Sequence, residues 1–259
     1  GFMSLTEAVN GVAGTWIVSD LNSGGPVESI DVAFKVLLSP ETGAAPADGF
    51  GFHWAPDLPE SGFPNAEEPV GTGLSVGFDV YNNGNNEAPA IDVFWLGTRV
   101  GGIAVPGEFL NTAEQFVDVQ IRLSAAGLID VSFNGLVLVY QLQIPNWTAF
   151  SGAKYGFAAR TGGLNQRQYV DDVRIKSVAY AGPIALVSQP QNATALVGRT
   201  ATFSVTTNDP SRTAYQWQVS SGGGAFTNIP LATAVTYTTP VLTVLDEGNQ
   251  YRAHVTDRK

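Results

Sequence analysis

Cysteine is absent from the 259 residues, methionine occurs once and histidine twice. Without a thiol there is no disulfide, no zinc–thiolate centre and no cysteine nucleophile. Charge is scarce as well: 14% of residues are Asp, Glu, Lys or Arg. Ordinary soluble domains carry roughly 25%, so this surface is built from Ser, Thr, Asn, Gln and Gly. The charge that exists leans negative, 23 acidic against 13 basic side chains for a net −10, which argues against nucleic acid and anionic lipid as partners. No stretch of 18 apolar residues occurs, so no membrane insertion is expected. The opening GFMSLTEAVN lacks the basic region and apolar core of a signal peptide. An extracellular or cell-surface location, favoured by the polar, turn-rich composition, requires a leader already removed or lying outside this stretch. Asn146-Trp-Thr148 and Asn192-Ala-Thr194 fit the N-glycosylation pattern, one that is common by chance.

What is present is apolar residue in alternation. The 44% hydrophobic content excludes a disordered chain. Ile30, Val32, Phe34, Val36 and Leu38 point one way, with Asp31 and Lys35 between them. Leu74, Val76, Phe78 and Val80 repeat the pattern, as do Val117, Val119, Ile121 and Leu123. Ile129, Val131 and Phe133 run into Asn134-Gly135, a type I′ hairpin signal, and then into Leu136–Val139. Period-2 runs of this kind are half-buried antiparallel strands. The expected class is all-β, with sheets packed face to face. The best helix candidate is one or two turns at Asn111–Gln115.

A boundary is expected near Ala181-Gly182-Pro183, giving domains 1–182 and 183–259. Before it, strands are separated by long Gly/Asn/Pro loops; after it, strands are short and evenly spaced. The second part carries Gly198-Arg-Thr-Ala-Thr-Phe-Ser-Val205, Tyr215-Gln-Trp217, Tyr237-Thr-Thr-Pro-Val-Leu-Thr243 and Asp246-Glu-Gly-Asn-Gln-Tyr251. In these it resembles the immunoglobulin-like domains of large bacterial surface and secreted proteins. The resemblance makes Trp217 the core tryptophan and Tyr251 a corner tyrosine bonding back to backbone near Asp246. Phe203 and Ala253 would stand where relatives place their two disulfide cysteines. The last strand of such a sandwich, strand G, is not found after Tyr251–Val255, which would leave that strand with an unpaired edge.

The first part carries Ala47-Asp-Gly-Phe-Gly-Phe52, Gly71-Thr-Gly-Leu-Ser-Val-Gly-Phe-Asp-Val-Tyr-Asn-Asn83, Glu87-Ala-Pro-Ala-Ile-Asp92 and Gly156-Phe-Ala-Ala-Arg-Thr-Gly-Gly163. It resembles the concanavalin A-like (legume-lectin/laminin-G-like) jelly roll in its bacterial form. That resemblance implies a sugar site at Asp48, at Gly71 or Gly73, and at Asn83. It also implies an oxygen-rich cation site, suited to Ca²⁺, at Asp79, the Tyr81 backbone, Asn83 and Glu87. The glutamate that precedes this motif in lectins falls on Gly77 and their histidine near Ile91, so the transition-metal site is lost. Two readings stand for Asp48, sugar contact or an Asp-Gly turn fixed by its own side chain. Asn82–Asn86 reads equally as an Asn/Gly turn. Trp54, Trp95 and Trp147 could stack on sugars if exposed; Trp95 sits in an apolar run, whereas Trp147 follows Pro145-Asn146 and is expected at the surface. Relatives also carry another strand before Leu5–Gly11.

The residues for catalysis are missing. Glycoside hydrolases need paired carboxylates at close, same-face spacing, and no E-x-D-x-x-E cluster occurs. Asp171-Asp172 reads as a solvated pair. His53 and His254 fall in different domains with no nucleophile elbow, and no phosphate-binding loop is present. The sequence therefore points to a non-catalytic extracellular structural or adhesive protein, a subunit of a fibre or filament built by strand complementation between its own copies or neighbouring domains. The alternative is a carbohydrate-binding module of a larger secreted protein, with glycans as partners.

Overall fold

A computed structural model describes residues 1–41, 44–64, 66–84 and 86–258. The chain divides into two compact units, Gly1–Tyr180 and Ala181–Lys259. Among the described residues the only helical turn is a 3₁₀ segment, Val244–Asp246. The turns at 107–115 do not join into a helix, because Ala113 and Glu114 both take positive φ (50° and 65°). Two successive left-handed residues cannot continue a right-handed turn.

Among its described residues the first unit holds thirteen strands: β1 (Met3–Thr6), β2 (Ala13–Val18), β3 (Pro26–Ser39), β4 (Gly49–Ala55), β5 (Leu74–Asp79), β6 (Ala90–Trp95), β7 (Thr98–Ala104), β8 (Val117–Leu123), β9 (Leu128–Phe133), β10 (Leu136–Gln143), β11 (Phe150–Ser151), β12 (Lys154–Arg160) and β13 (Arg167–Ala179). One sheet runs β1-β13-β3-β8-β9-β10, with β11 also on β3; the other runs β2-β12-β4-β5-β6-β7. All pairings are antiparallel, so the unit is a two-sheet jelly-roll sandwich. The period-2 runs face inward as written: Ile30, Val32, Phe34, Val36 and Leu38 are all buried on β3. The sheets meet through aromatic rings, with Phe34 packed on Phe50 at 5.7 Å and edge-on to Phe157 at 5.2 Å between centroids. Asn134 and Gly135 have φ of 50° and 78°, the pair of left-handed residues a type I′ turn requires.

Alternation fails on β4 and β5, where nearly every residue is buried on both faces. The cause is a strap, residues 56–64 and 66–73, laid over the outer face of the second sheet. Glycines on that face make room for it. A Cβ at Gly51 would lie 1.7 Å from the Ala66 carbonyl oxygen, and one at Gly77 would lie 2.1 Å from that of Glu67. Leu58, Phe63 and Ala66 of the strap form a small core with Ala55 and Ala158. His53, fully buried, pins the strap. Its Nε2 lies 3.0 Å from Ala66 O and its Nδ1 2.9 Å from Ser75 Oγ. A carbonyl only accepts, so Nε2 carries the proton and Nδ1 accepts from the serine. Burial lowers the His53 pKa to about 4. The Ser75–His53 pair is sealed under the strap, with its second nitrogen committed to backbone.

The second unit contains β14 (Leu186–Ser188), β15 (Thr202–Ser204), β16 (Thr206–Thr207), β17 (Thr213–Ser220), β18 (Thr227–Asn228), β19 (Thr236–Thr238) and β20 (Gln250–Asp257), in sheets β14-β16, β15-β19 and β18-β17-β20. Trp217, Val205 and Tyr215 are its buried core, with Phe203, Tyr237, Ala253 and Val255 partly buried around them. Trp217 donates its indole N–H to Ala234 O at 2.9 Å. Tyr251 differs from expectation: among the described residues its hydroxyl makes no bond back toward Asp246, and its ring stacks on Phe203 at 5.0 Å instead.

Two outcomes follow. Gly51→Ala forces a methyl group into the strap backbone and should cost about 1–3 kcal/mol in urea denaturation; an unchanged midpoint would show that the strap lifts freely. Unfolded His53 takes up a proton near pH 6.5, whereas the folded ring refuses it until about pH 4. Its stabilisation is therefore present above pH 6.5 and lost as pH falls, by about 3 kcal/mol. The stability difference between wild type and His53→Gln should shift by that amount between pH 7 and pH 4; a pH-independent difference contradicts the buried neutral imidazole.

Candidate functional site

β4 and β12 run antiparallel with Gly49 opposite Arg160, and β4 and β5 pair Gly49 with Asp79. The residue before β4, the loop after β12 and the loop after β5 therefore emerge at one end of the sandwich. Asp48 lies there after a cis Ala47–Asp48 peptide, its N–H donating to Arg160 O at 3.0 Å. Its carbonyl accepts from Val80 N at 3.1 Å and Tyr81 N at 3.2 Å. The Asp48 carboxylate is 13% exposed, 3.7 Å from Arg160 Nε, and lies against Gly162, where a Cβ would stand 2.8 Å from Oδ2. Gly163 is exposed, and Asn10 donates to its carbonyl at 2.9 Å.

Beside Asp48, carboxylates gather around the Arg160 guanidinium. Arg160 Nε donates to both Glu67 oxygens, at 2.8 and 3.0 Å, and its Nη2 also bonds Glu67. Glu67 comes from the strap and is buried; burial raises its pKa more than the arginine lowers it. Burial works against the Arg160 charge too, but its bonds to Glu67 outweigh this and raise its pKa. Asp79 is pushed up to about 7, first by burial and then by the negative charge of Glu67, with Glu87 and Glu68 adding to it; the bond from Tyr81 N works the other way.

The sequence-derived residues separate into two groups. Asp48, Asp79, Tyr81 and Asn83 come together at this end, and Glu87 is near enough to raise the Asp79 pKa. Asn83 Nδ2 bonds Tyr81 O at 3.3 Å. Asn85, within the expected Asn82–Asn86 turn, lies outside the described residues. Gly71 and Gly73 are elsewhere. They return the strap into β5, pressed on Asp57, Ala55 and the Trp54 carbonyl at the opposite end of β4, about 20 Å away at the rise of an extended strand. Trp147 belongs to that far end as well. It is half-buried, packed on Trp95 at 5.2 Å and Trp54 at 6.1 Å, with its indole N–H donating to Ala125 O. Trp54 and Trp95 are buried, so none of the three indoles presents a free face at Asp48. The glycines beside Asp48 are Gly162 and Gly163, with Arg160 and Glu67 as further neighbours. Their signal was the Arg-Thr-Gly-Gly run after β12.

The groups that the lectin-like resemblance offers to a cation, the Asp79 and Glu87 carboxylates, the Tyr81 carbonyl and the Asn83 amide oxygen, are hard oxygens of the kind Ca²⁺ takes. Among the described residues no three His, Cys, Asp or Glu side chains converge on one point, so such a site would draw on backbone and amide oxygens. No helix is long and apolar enough to cross a membrane among the described residues.

A profile described as a domain of unknown function (DUF8696) matches residues 187–259. No curated protein matches the chain. Among solved structures, the chain is similar to the exoplasmic/lumenal domain of VIP36 in its Ca²⁺/Man3GlcNAc-bound form (15% identity, TM-score 0.48, covering 70% of this chain and 81% of that one). It is also similar to the potassium-bound carbohydrate recognition domain of Emp46p (8%, 0.49, 68% and 82%) and to a seed lectin of Lotus tetragonolobus (14%, 0.49, 70% and 94%).

Removing the acidic partner of Arg160 tests the local electrostatics. Glu67→Ala should lower the unfolding free energy by about 2 kcal/mol, less than the 3–5 kcal/mol of a fully buried pair because Arg160 is partly exposed. A loss below about 0.5 kcal/mol would mean that the pair behaves as a solvated surface bridge.

Proposed function

We propose that the first unit binds a saccharide at the Asp48 end of the sandwich, as a non-catalytic carbohydrate-binding domain. The observation that carries this reading is the convergence of the Asp48 carboxylate, the turn of half-buried Gly162 and exposed Gly163, and the Asn83 loop. A carboxylate accepts from two adjacent hydroxyls at once, while backbone and amide N–H groups donate to their oxygens. Glycine lets a sugar ring approach the backbone closely. Ca²⁺ at Asp79, Tyr81 O, Asn83 and Glu87 would neutralise the acidic loop that borders Asp48. The polar, weakly charged composition fits work outside the cell, at the surface or in a secreted assembly.

A second reading concerns residues 181–259, which we propose form an immunoglobulin-like module. β20 pairs with β17 along its whole length, while its other edge has no strand partner among the described residues. Ile184, Leu186, Ala253 and Val255 line the groove beside it. An extended strand from a neighbouring domain or another copy would cover that edge, which supports an adhesive or structural role alongside sugar binding.

A glycan array, run with Ca²⁺ and with chelator, tests the main reading. The wild type should bind at least one saccharide, Asp48→Ala should lose at least tenfold in affinity, and Trp147→Ala should retain it. Absence of binding under both conditions, or retention by Asp48→Ala, contradicts the reading.

A further inference from the structure

The inner face of the sandwich turns polar at the Asp48 end. Thr6, Ser39, Thr112, Thr161, Gln166 and Gln168 are all buried there or at the adjoining strand ends. Gln168 is the informative one. It is the second residue of β13, in the sheet opposite β4 and β12, and is 0% exposed. Its Nε2 donates across the end of the sandwich to Arg160 O at 2.6 Å. That carbonyl is the one receiving the Asp48 N–H. Arg160 is thus held from two sides: its carbonyl by Gln168 from the core and its guanidinium by Glu67 from the strap. Both contacts end beside Asp48, one at its backbone and one at its carboxylate.

We propose that Gln168 is a positioning residue for Asp48, acting through the Arg160 carbonyl, with Glu67 as its counterpart on the outer face. The inference rests on the saccharide reading for its functional meaning but on hydrogen-bond geometry for its content. Burying a glutamine at a strand position otherwise suited to Leu or Val is costly, and among the described residues only its Nε2 is bonded, Oε1 having no partner. Here the bond holds the Arg160 end of the 161–166 loop, which connects the two sheets and bears Gly162 against Asp48. Without it, the Arg160 carbonyl keeps Asp48 as a partner but loses the donor that fixes its direction.

The test uses amide hydrogen exchange read by NMR on the whole chain, beside saccharide affinity on the array. In Gln168→Leu the Asp48 amide should exchange about tenfold faster, the scale of one lost hydrogen bond. The Phe52 amide, at the centre of β4, should stay within about threefold of wild type. Affinity should fall by a similar factor, with Glu67→Gln producing a smaller loss by the outer route. If Gln168→Leu does not fold, Gln168→Asn, whose shorter amide cannot reach Arg160 O, carries the same expectation. Equal acceleration at Asp48 and Phe52 overturns the proposal in favour of a general packing role, and an unchanged Asp48 amide overturns it outright. A wild type that binds no saccharide, with Asp48 exchange still selectively raised, defeats the saccharide reading while leaving the positioning role intact.

Discussion

The first unit depends on a close backbone approach that glycine alone permits. Gly51 and Gly77 leave the outer face of β4 and β5 flat enough for the strap to lie directly on the sheet. That contact closes His53 from water, fixes its neutral tautomer and buries β4 on both faces. It also delivers Glu67 to Arg160. Because Arg160 is opposite Gly49, whatever holds Arg160 also sets the geometry of Asp48. Packing on a glycine-lined face is thus connected, through one ion pair and one carbonyl, to the proposed binding end.

Electrostatics at that end are asymmetric. Five carboxylates, those of Asp48, Glu67, Glu68, Asp79 and Glu87, interact with one arginine or with one another, and Glu67 takes most of the arginine's donors. Asp79 is left as a partly buried acid among like charges. Such a group is stable as the neutral acid or beside a cation, and the oxygen donors around it suit a cation as well as they suit a hydrogen-bonded turn.

Much of the fold could be read from the chain. Strict alternation on β3, β8 and β9 and the Asn134-Gly135 turn follow from local rules, and the structure repeats them. The β4 and β5 burial could not be read this way, because period 2 cannot distinguish an outer face open to water from one covered by a distant strap. Site residues divide along the same line. Pairing of β4 with its neighbour β5 brings Asp79, Tyr81 and Asn83 beside Asp48. Gly71 and Gly73 also lie close to Asp48 in sequence, but β4 intervenes and carries them to the far end. Gly162 and Gly163 are more than 110 positions from Asp48, and only the antiparallel pairing of β12 with β4 brings them to it. Trp147 was expected at the surface from its Pro-Asn neighbours, yet three aromatic partners draw it half into the core.

Ligand binding is proposed at one end of the first unit alone. Titration of the isotope-labelled protein with the saccharide selected on the array, followed by amide chemical shifts, tests this most directly. Shifts are expected at Asp48, Asn83, Gly162 and Gly163, with Gly71, Gly73 and Trp147 unmoved. Shifts centred on Gly71, Gly73 and Trp147 would place the site at the opposite end of β4 and contradict it.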